Sequence, residues 1–146
     1  MAAQDNAALA RTIYACFNED RLDDALAYAT DHVEVTLMAF GQSYHGHEGF
    51  RVFMQDFKTA FPDCTVNLTR QYATDDAVIN EFVARGTHRG PLASPGGAIP
   101  PTGRSIDYPA CEVWEIREGK IARLRNYFDA ASLMRQLGLL PEEEAA

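Results

Sequence analysis

Ser105–Phe128, SIDYPACEVWEIREGKIARLRNYF, decides the fold. Side chains alternate between the two faces of a strand, so Ile106, Tyr108, Ala110, Glu112, Trp114 and Ile116 share one face. After the turn signal Glu118-Gly119, a second strand-like run occupies Lys120–Phe128, and the tight connection makes the pair antiparallel. Two further runs precede it, Thr65–Ala73 and Ala77–Arg89, joined by Thr74-Asp75-Asp76. Four consecutive strands joined mostly by tight turns form a meander. PLASPGGAIPPTG (91–103) interrupts it, too rich in Pro and Gly to continue a ladder, and is expected to form a long loop at the mouth of whatever the sheet encloses.

Upstream the period changes. Leu9, Ile13 and Phe17 recur every four residues and give an opening helix one apolar stripe ending near Asn18, followed by a short helix over about Leu22–Ala29. Val33–Phe40 reads as a strand. Phe50, Phe53, Met54, Phe57 and Phe61 mark one face of a third helix ended by Pro62, with Ser43 and Gly46 in a turn leading into it. A last helix follows Asp129. Helices, a long antiparallel sheet and a closing helix make an α+β plan, with a strongly bent sheet wrapped around the N-terminal helices and an apolar pocket between them. One domain is expected over 1–146, with a core of about 7–141 and an acidic tail at 142–146.

Composition narrows the partners. A formal net charge of −8 opposes broad binding to nucleic acid or to an acidic membrane surface, both of which need clustered Lys and Arg. No run approaches the roughly 20 apolar residues of a membrane span, and the N-terminus lacks a secretory pattern, so a soluble, cytoplasmic protein is expected. Cys16, Cys64 and Cys111, an odd number at wide spacing, read as reduced, buried thiols. No Walker, GxGxxG or GxSxG sequence occurs, which disfavours nucleotide cofactors and serine hydrolysis.

Several polar residues stand where chemistry is possible. Glu112 interrupts an apolar row; burial raises a carboxyl pKa toward a range useful for general acid work, while an edge position or an Arg partner would make it structural. Asp129 lies where a strand pattern hands over to a helix pattern. It is either an N-cap or a base delivered to the pocket rim. Asn126 falls on the face of Ala122, Leu124 and Phe128, whereas strict alternation places Asp129 opposite, with Arg123, Arg125 and Tyr127. His88 alternates with Phe82, Ala84 and Gly86 and is either a structural histidine or a donor or relay in the pocket. His45 and His47 form an HxH pair with no third ligand nearby, so no metal is expected.

YHGHEGFRVFMQDFKTAFPD, RGTHRGPL, IPPTGRSI, EGKI and NYFDAASLMRQLGLLP together resemble the SnoaL-like polyketide cyclase (ester cyclase) family, within the nuclear transport factor two-like superfamily. The likeness spans about Ala7–Pro141, with GTHxG, PPTG, GKI and FD…QLG in the family's order. It implies a cone-shaped α+β barrel with a hydrophobic cavity, and homodimers or higher homo-oligomers through the sheet. It also implies an acid/base aspartate near the end of the last long strand, matching Asp129, for an intramolecular aldol closure without metal or organic cofactor. The cyclases add a histidine on the preceding strand. This chain has none between Pro91 and Ala146, and Glu112 or Glu115 occupies that region, leaving His88 to serve from the neighbouring strand.

The expected function is therefore a cofactor-independent cyclase or isomerase acting on a small apolar carbonyl or polyketide compound. Asp129 would be base or acid, His88 a donor, Glu112 and Asn126 orienting groups, and Tyr14, Phe17, Phe50, Trp114 and Arg125 the pocket. The alternatives are a non-catalytic small-molecule-binding module, a domain whose sheet serves only dimerisation, and an epoxide or lactone hydrolase, for which a second Asp beside Arg125 and Asp129 is missing.

Overall fold

The computed structural model describes residues 2–141, so the acidic tail lies outside the described residues. In chain order the elements are α1 (Ala2–Asn18), α2 (Leu22–Leu26), β1 (Ala29–Leu37), β2 (Gln42–His45), α3 (Gly46–Ala60), β3 (Thr65–Ala73), β4 (Ala77–Thr87), β5 (Ser105–Arg117), β6 (Lys120–Phe128) and α4 (Ala130–Gln136). The six strands form one open sheet in the order β2-β1-β6-β5-β4-β3. All neighbours are antiparallel except β1 and β6, which run parallel.

The meander β3 to β6 follows its turns. Thr74 Oγ1 bonds the Asp76 carboxylate at 3.0 Å, and Thr74 N–H donates to Ala77 O at 2.8 Å. At the other hairpin Glu118 and Gly119 both take positive φ, 54° and 75°, the backbone that matches a two-residue turn to the strands' twist. On β5 every second side chain from Ile106 to Ile116 is buried. Register shifts occur in the β1–β6, β3–β4 and β5–β6 pairs, the irregularities that bend a sheet.

α1 and α3 cover the concave face. Ile13, Tyr14 and Phe17 of α1 and Phe50, Phe53 and Met54 of α3 are buried against it. Asparagines fix α1: Asn6 Nδ2 donates to Thr74 O and Asp75 O, and Asn18 pairs with Val66 through both N–H and C=O, at 2.8 and 2.9 Å. Lys58 closes the junction of α1, α3 and β3. Its Nζ lies 4.4 Å from the Phe17 ring centre, donates to Cys64 O at 2.9 Å and pairs with Asp20 at 3.1 Å.

The structure departs from the sequence reading at four places. The second helix ends at Leu26, because the chain turns into β1 at Ala29, where Tyr28 O already accepts from Ile121 N–H. β1 ends at Leu37 in a turn through Gly41, and Ser43 belongs to a short edge strand, β2. β4 ends at Thr87, since the N–H groups of Arg89 and Gly90 leave the ladder for Ala60 O. The Pro/Gly loop is held by a bridge between Leu92 and Ile99 and by bonds from His88 to Thr102, Gly103 and Arg104. None of its residues lines the apolar cavity between the sheet, α1 and α3.

Gly90 tests this close contact with α3. A Cβ there would lie 2.0 Å from Thr59 O, whereas a Cβ at Gly96 meets nothing within 4 Å. Gly90→Ala is expected to lose about 1–3 kcal/mol, as overpacked sites do, and Gly96→Ala to stay within about 0.5 kcal/mol. Urea denaturation of both variants checks the contrast.

Candidate active site

The concave face, α1 and α3 enclose a cavity of about 60 Å³. Its wall is mostly aromatic and aliphatic: Phe17, Phe50, Phe53, Phe57, Phe82 and Leu124 are typical members. One carboxyl group, Glu112, reaches it. Glu112 is only 5% exposed, and its place follows from register. Asn80 of β4 pairs with Glu112 of β5, which pairs with Asn126 of β6. Gln71 of β3 extends the row on one side and Leu37 of β1 on the other. A line of polar side chains therefore crosses an otherwise apolar sheet face.

Three donors converge on the carboxyl. Tyr14 Oη donates to Oε1 at 2.5 Å, Trp114 Nε1 to the same oxygen at 3.1 Å, and Asn126 Nδ2 to Oε2 at 2.8 Å. Burial raises the Glu112 pKa above the usual carboxylate range and outweighs the opposing pull of the three hydrogen bonds. Tyr14 is raised as well, first by burial and then by the neighbouring Glu112 charge, so it stays a donor. A carboxylate offers about four lone-pair sites, so three donors leave one open, on Oε2.

Two amide atoms of the row lack partners among the described residues, Asn126 Oδ1 and Asn80 Nδ2. Asn80 is fully buried, and Gln71 Nε2 donates to its Oδ1 at 2.9 Å. Elsewhere in the wall, burial raises Cys64 to about 11, which keeps its thiol protonated near neutral pH and makes it a poor nucleophile.

Of the residues singled out in the sequence, Glu112, Asn126, Tyr14, Phe17, Phe50 and Trp114 line the cavity. Asp129, His88 and Arg125 do not, and each placement has a local cause. Asp129 is exposed and caps α4: its Oδ1 accepts from Ala131 N–H at 3.0 Å, and its Oδ2 from Ser132 Oγ at 2.8 Å. The Ser132 hydroxyl and then its N–H hold the Asp129 carboxyl below its ordinary value, which suits neither an acid nor a base near pH 7. β6 ends at Phe128 and delivers Asp129 to the helix start, not to the cavity.

His88 is fully buried beyond the end of β4, against Phe61, with their ring centres 5.4 Å apart. Its Nδ1 accepts from Thr102 N–H at 3.1 Å. The ring thus serves to pin the Pro/Gly loop, and burial lowers its pKa. Arg125 points to the opposite face of β6, where it pairs with Glu115 at 2.5 Å. His47 Nε2 bonds Ala29 O at 2.9 Å, and no cluster of three or more metal-ligating side chains occurs among the described residues.

Sequence reading did not single out Asn80 or Gln71, and it treated Tyr14 only as wall. Asn80 carries the same signal as Glu112, a polar residue between Val78 and Phe82 in an inward row. Tyr14 carries none, because only tertiary packing brings α1 over Glu112.

A family model described as SnoaL-like polyketide cyclase matches residues 7–137. No curated protein matches the chain by sequence. Among solved structures, a provisionally assigned SnoaL-like polyketide cyclase from Jannaschia sp. CCS1 superposes with a TM-score of 0.84 at 18% identity, covering 95% of each chain. A provisionally assigned polyketide cyclase from Xanthomonas campestris pv. campestris gives 0.81 at 21% identity, covering 94% of this chain and 99% of that one. A protein from Catenulispora acidiphila with a ketosteroid isomerase-like fold, in complex with trimethylamine, gives 0.77 at 17%, covering 90% and 93%. At these identities the structures show a shared fold. No helix among the described residues is long and apolar enough to cross a membrane.

The raised pKa of Glu112 has a signed consequence. A carboxyl raised on folding contributes stability that is fully present below its unfolded pKa and is lost as pH rises through the folded pKa. Glu112→Gln removes that loss. Its melting temperature relative to the unsubstituted protein is expected to improve steadily between pH 4 and pH 8, about the range over which a raised carboxyl ionises. A constant difference across this range would show that Glu112 is not raised.

Proposed function

Because the chain belongs to the SnoaL-like polyketide cyclase family, we propose that it is an acid/base enzyme of cyclase or isomerase type, moving a proton next to the carbonyl of a small apolar compound. The observation that carries this is a single buried carboxyl with one open acceptor site, facing an apolar cavity. Glu112 is the base. Its Oε2 takes the proton from the carbon α to the carbonyl, the electron pair moves onto the carbonyl oxygen as an enolate, and the same carboxylic acid returns the proton at the new position. Tyr14 and Trp114 hold Oε1 and Asn126 holds Oε2, so the carboxyl does not rotate between the two transfers. A pKa raised by burial suits a group that both takes and gives a proton near neutral pH.

This reading moves the base from Asp129 to Glu112 and gives His88 a structural task. It uses only groups of the chain, so no cofactor enters the step. The cavity favours substrates of one ring over fused polycycles: a water needs about 10–15 Å³ on the same measure, so about 60 Å³ leaves little room. Phe57 and Val66 are the half-buried members of the wall, and they are where a ligand would enter. The proposal includes a homodimer or larger homo-oligomer through the sheet, supported by exposed Tyr72, Ile79 and Tyr127. A cytoplasmic location suits the three free cysteines.

Cyclohexanone in D2O provides a direct test, with deuterium uptake at its α carbons followed by proton NMR. The protein is expected to accelerate exchange. Glu112→Gln is expected to lower the rate by about 10²-fold or more, the range for a general base, while Asp129→Asn leaves it unchanged. Exchange that survives in Glu112→Gln and fails in Asp129→Asn would overturn the assignment.

A further inference from the structure

Asn126 combines two properties. It is 5% exposed and lines the cavity, and its Oδ1 has no hydrogen-bond partner among the described residues. In the structure the Asn126 amide turns Nδ2 toward Glu112 Oε2, 2.8 Å away, the orientation required whenever Glu112 is ionised and only accepts, and this turns Oδ1 elsewhere. The neighbours on its strand and across the sheet offer it no donor: Leu124, Leu37 and Phe128 are apolar, and Tyr14 and Trp114 already donate to Glu112. A buried acceptor left unpaired is unfavourable, so it selects for a ligand that brings a donor.

We infer that Asn126 Oδ1 is the recognition point for a hydroxyl group on the substrate, next to the carbon that Glu112 deprotonates. The substrate class that places a hydroxyl, an acidic C–H and a carbonyl in consecutive positions is a β-hydroxy carbonyl compound. The hydroxyl donates to Asn126 Oδ1, the α C–H faces Glu112 Oε2, and the carbonyl lies beyond it. Asn126 is then a specificity-determining residue as well as a positioning one: one end of its amide holds the base, and the other reads the substrate. This rests on the proposed role of Glu112 for its chemistry, but not for the binding preference.

Three single-ring probes differ only at the position that Asn126 would read: 3-hydroxycyclohexanone, 3-methoxycyclohexanone and cyclohexanone. Dissociation constants from ligand-observed NMR are expected to favour the hydroxy ketone by about tenfold over both others, the size of one hydrogen bond to a buried partner. Asn126→Leu is expected to erase that preference. Equal affinities for the three probes in the unsubstituted protein, or a preference that survives Asn126→Leu, would overturn the inference. Should Asn126→Leu fail to fold, the Asn126 side-chain amide resonances of the unsubstituted protein decide instead. They shift with the hydroxy ketone alone if the inference holds, and identically with all three probes if it does not. Probe affinities and deuterium exchange, both measured on the unsubstituted protein, separate the two readings: a hydroxyl preference with no exchange contradicts the proposed catalysis only, and exchange without a preference contradicts this inference only.

Discussion

A carboxyl group in an apolar cavity must be held by donors or give up its charge, and Glu112 is arranged around that constraint. Desolvation of an isolated carboxylate is unfavourable by several kcal/mol or more in order of magnitude. Here Tyr14, Trp114 and Asn126 supply donors from three elements, α1, β5 and β6. Burial still dominates and the pKa remains raised. The balance leaves a buried carboxyl, held by three donors, whose pKa lies above its ordinary value. A buried carboxyl perturbed in this way is the candidate group for the proposed proton transfer.

Much of the architecture serves to assemble that contact. The register of β4, β5 and β6 brings Asn80, Glu112 and Asn126 into one inward row. Helix α1 must sit at one height for Tyr14 to reach Oε1. Asn6 at its start and Asn18 at its end fix that height by bonding backbone at Thr74, Asp75 and Val66. Lys58 ties the far end of α1 to α3 across Phe17. Charges elsewhere are spent on each other. Arg21 and Lys58 pair with Glu19 and Asp20 in the turn before α2, Arg51 pairs with Asp23 of α2, and Arg123 and Arg125 pair with Glu34 and Glu115 on the outer face of the sheet. Among the described residues, Glu112 is the carboxyl that lines the apolar cavity.

The sequence carried the meander of β3 to β6, but not the edge strand β2, the bounds of β1 or the parallel pairing of β1 with β6. β3, β5 and β6 have the bounds that alternation and turn residues indicated, because strand and hairpin signals are local. Element ends that depend on distant partners were not legible: β4 stops at Thr87 because Ala60 O, far along the chain, captures the next amides. The site was legible in part for the same reason. Glu112 stands out as a polar residue in an apolar row, and Asn126 follows from alternation. Asp129 was ambiguous between cap and base. The handover from strand to helix at Phe128 and Ala130 leaves it 2.8 Å from the Ser132 hydroxyl and outside the cavity. His88 shares the inward face of β4, as alternation indicated, but sits past its end, where Thr102 engages it. Periodicity gives the face of a residue and not its height along the cone.

Site-specific titration of the Glu112 carboxyl carbon by ¹³C NMR, assigned with Glu112→Gln, addresses the central constraint most directly. A carboxyl buried against Tyr14 and Trp114 titrates clearly above the ordinary value of about 4.3, and its midpoint falls when Phe50 or Phe53 is replaced by a smaller side chain that admits water. A midpoint at or below that ordinary value would contradict the account, because Glu112 would then be a firmly held structural anion with no proton to return.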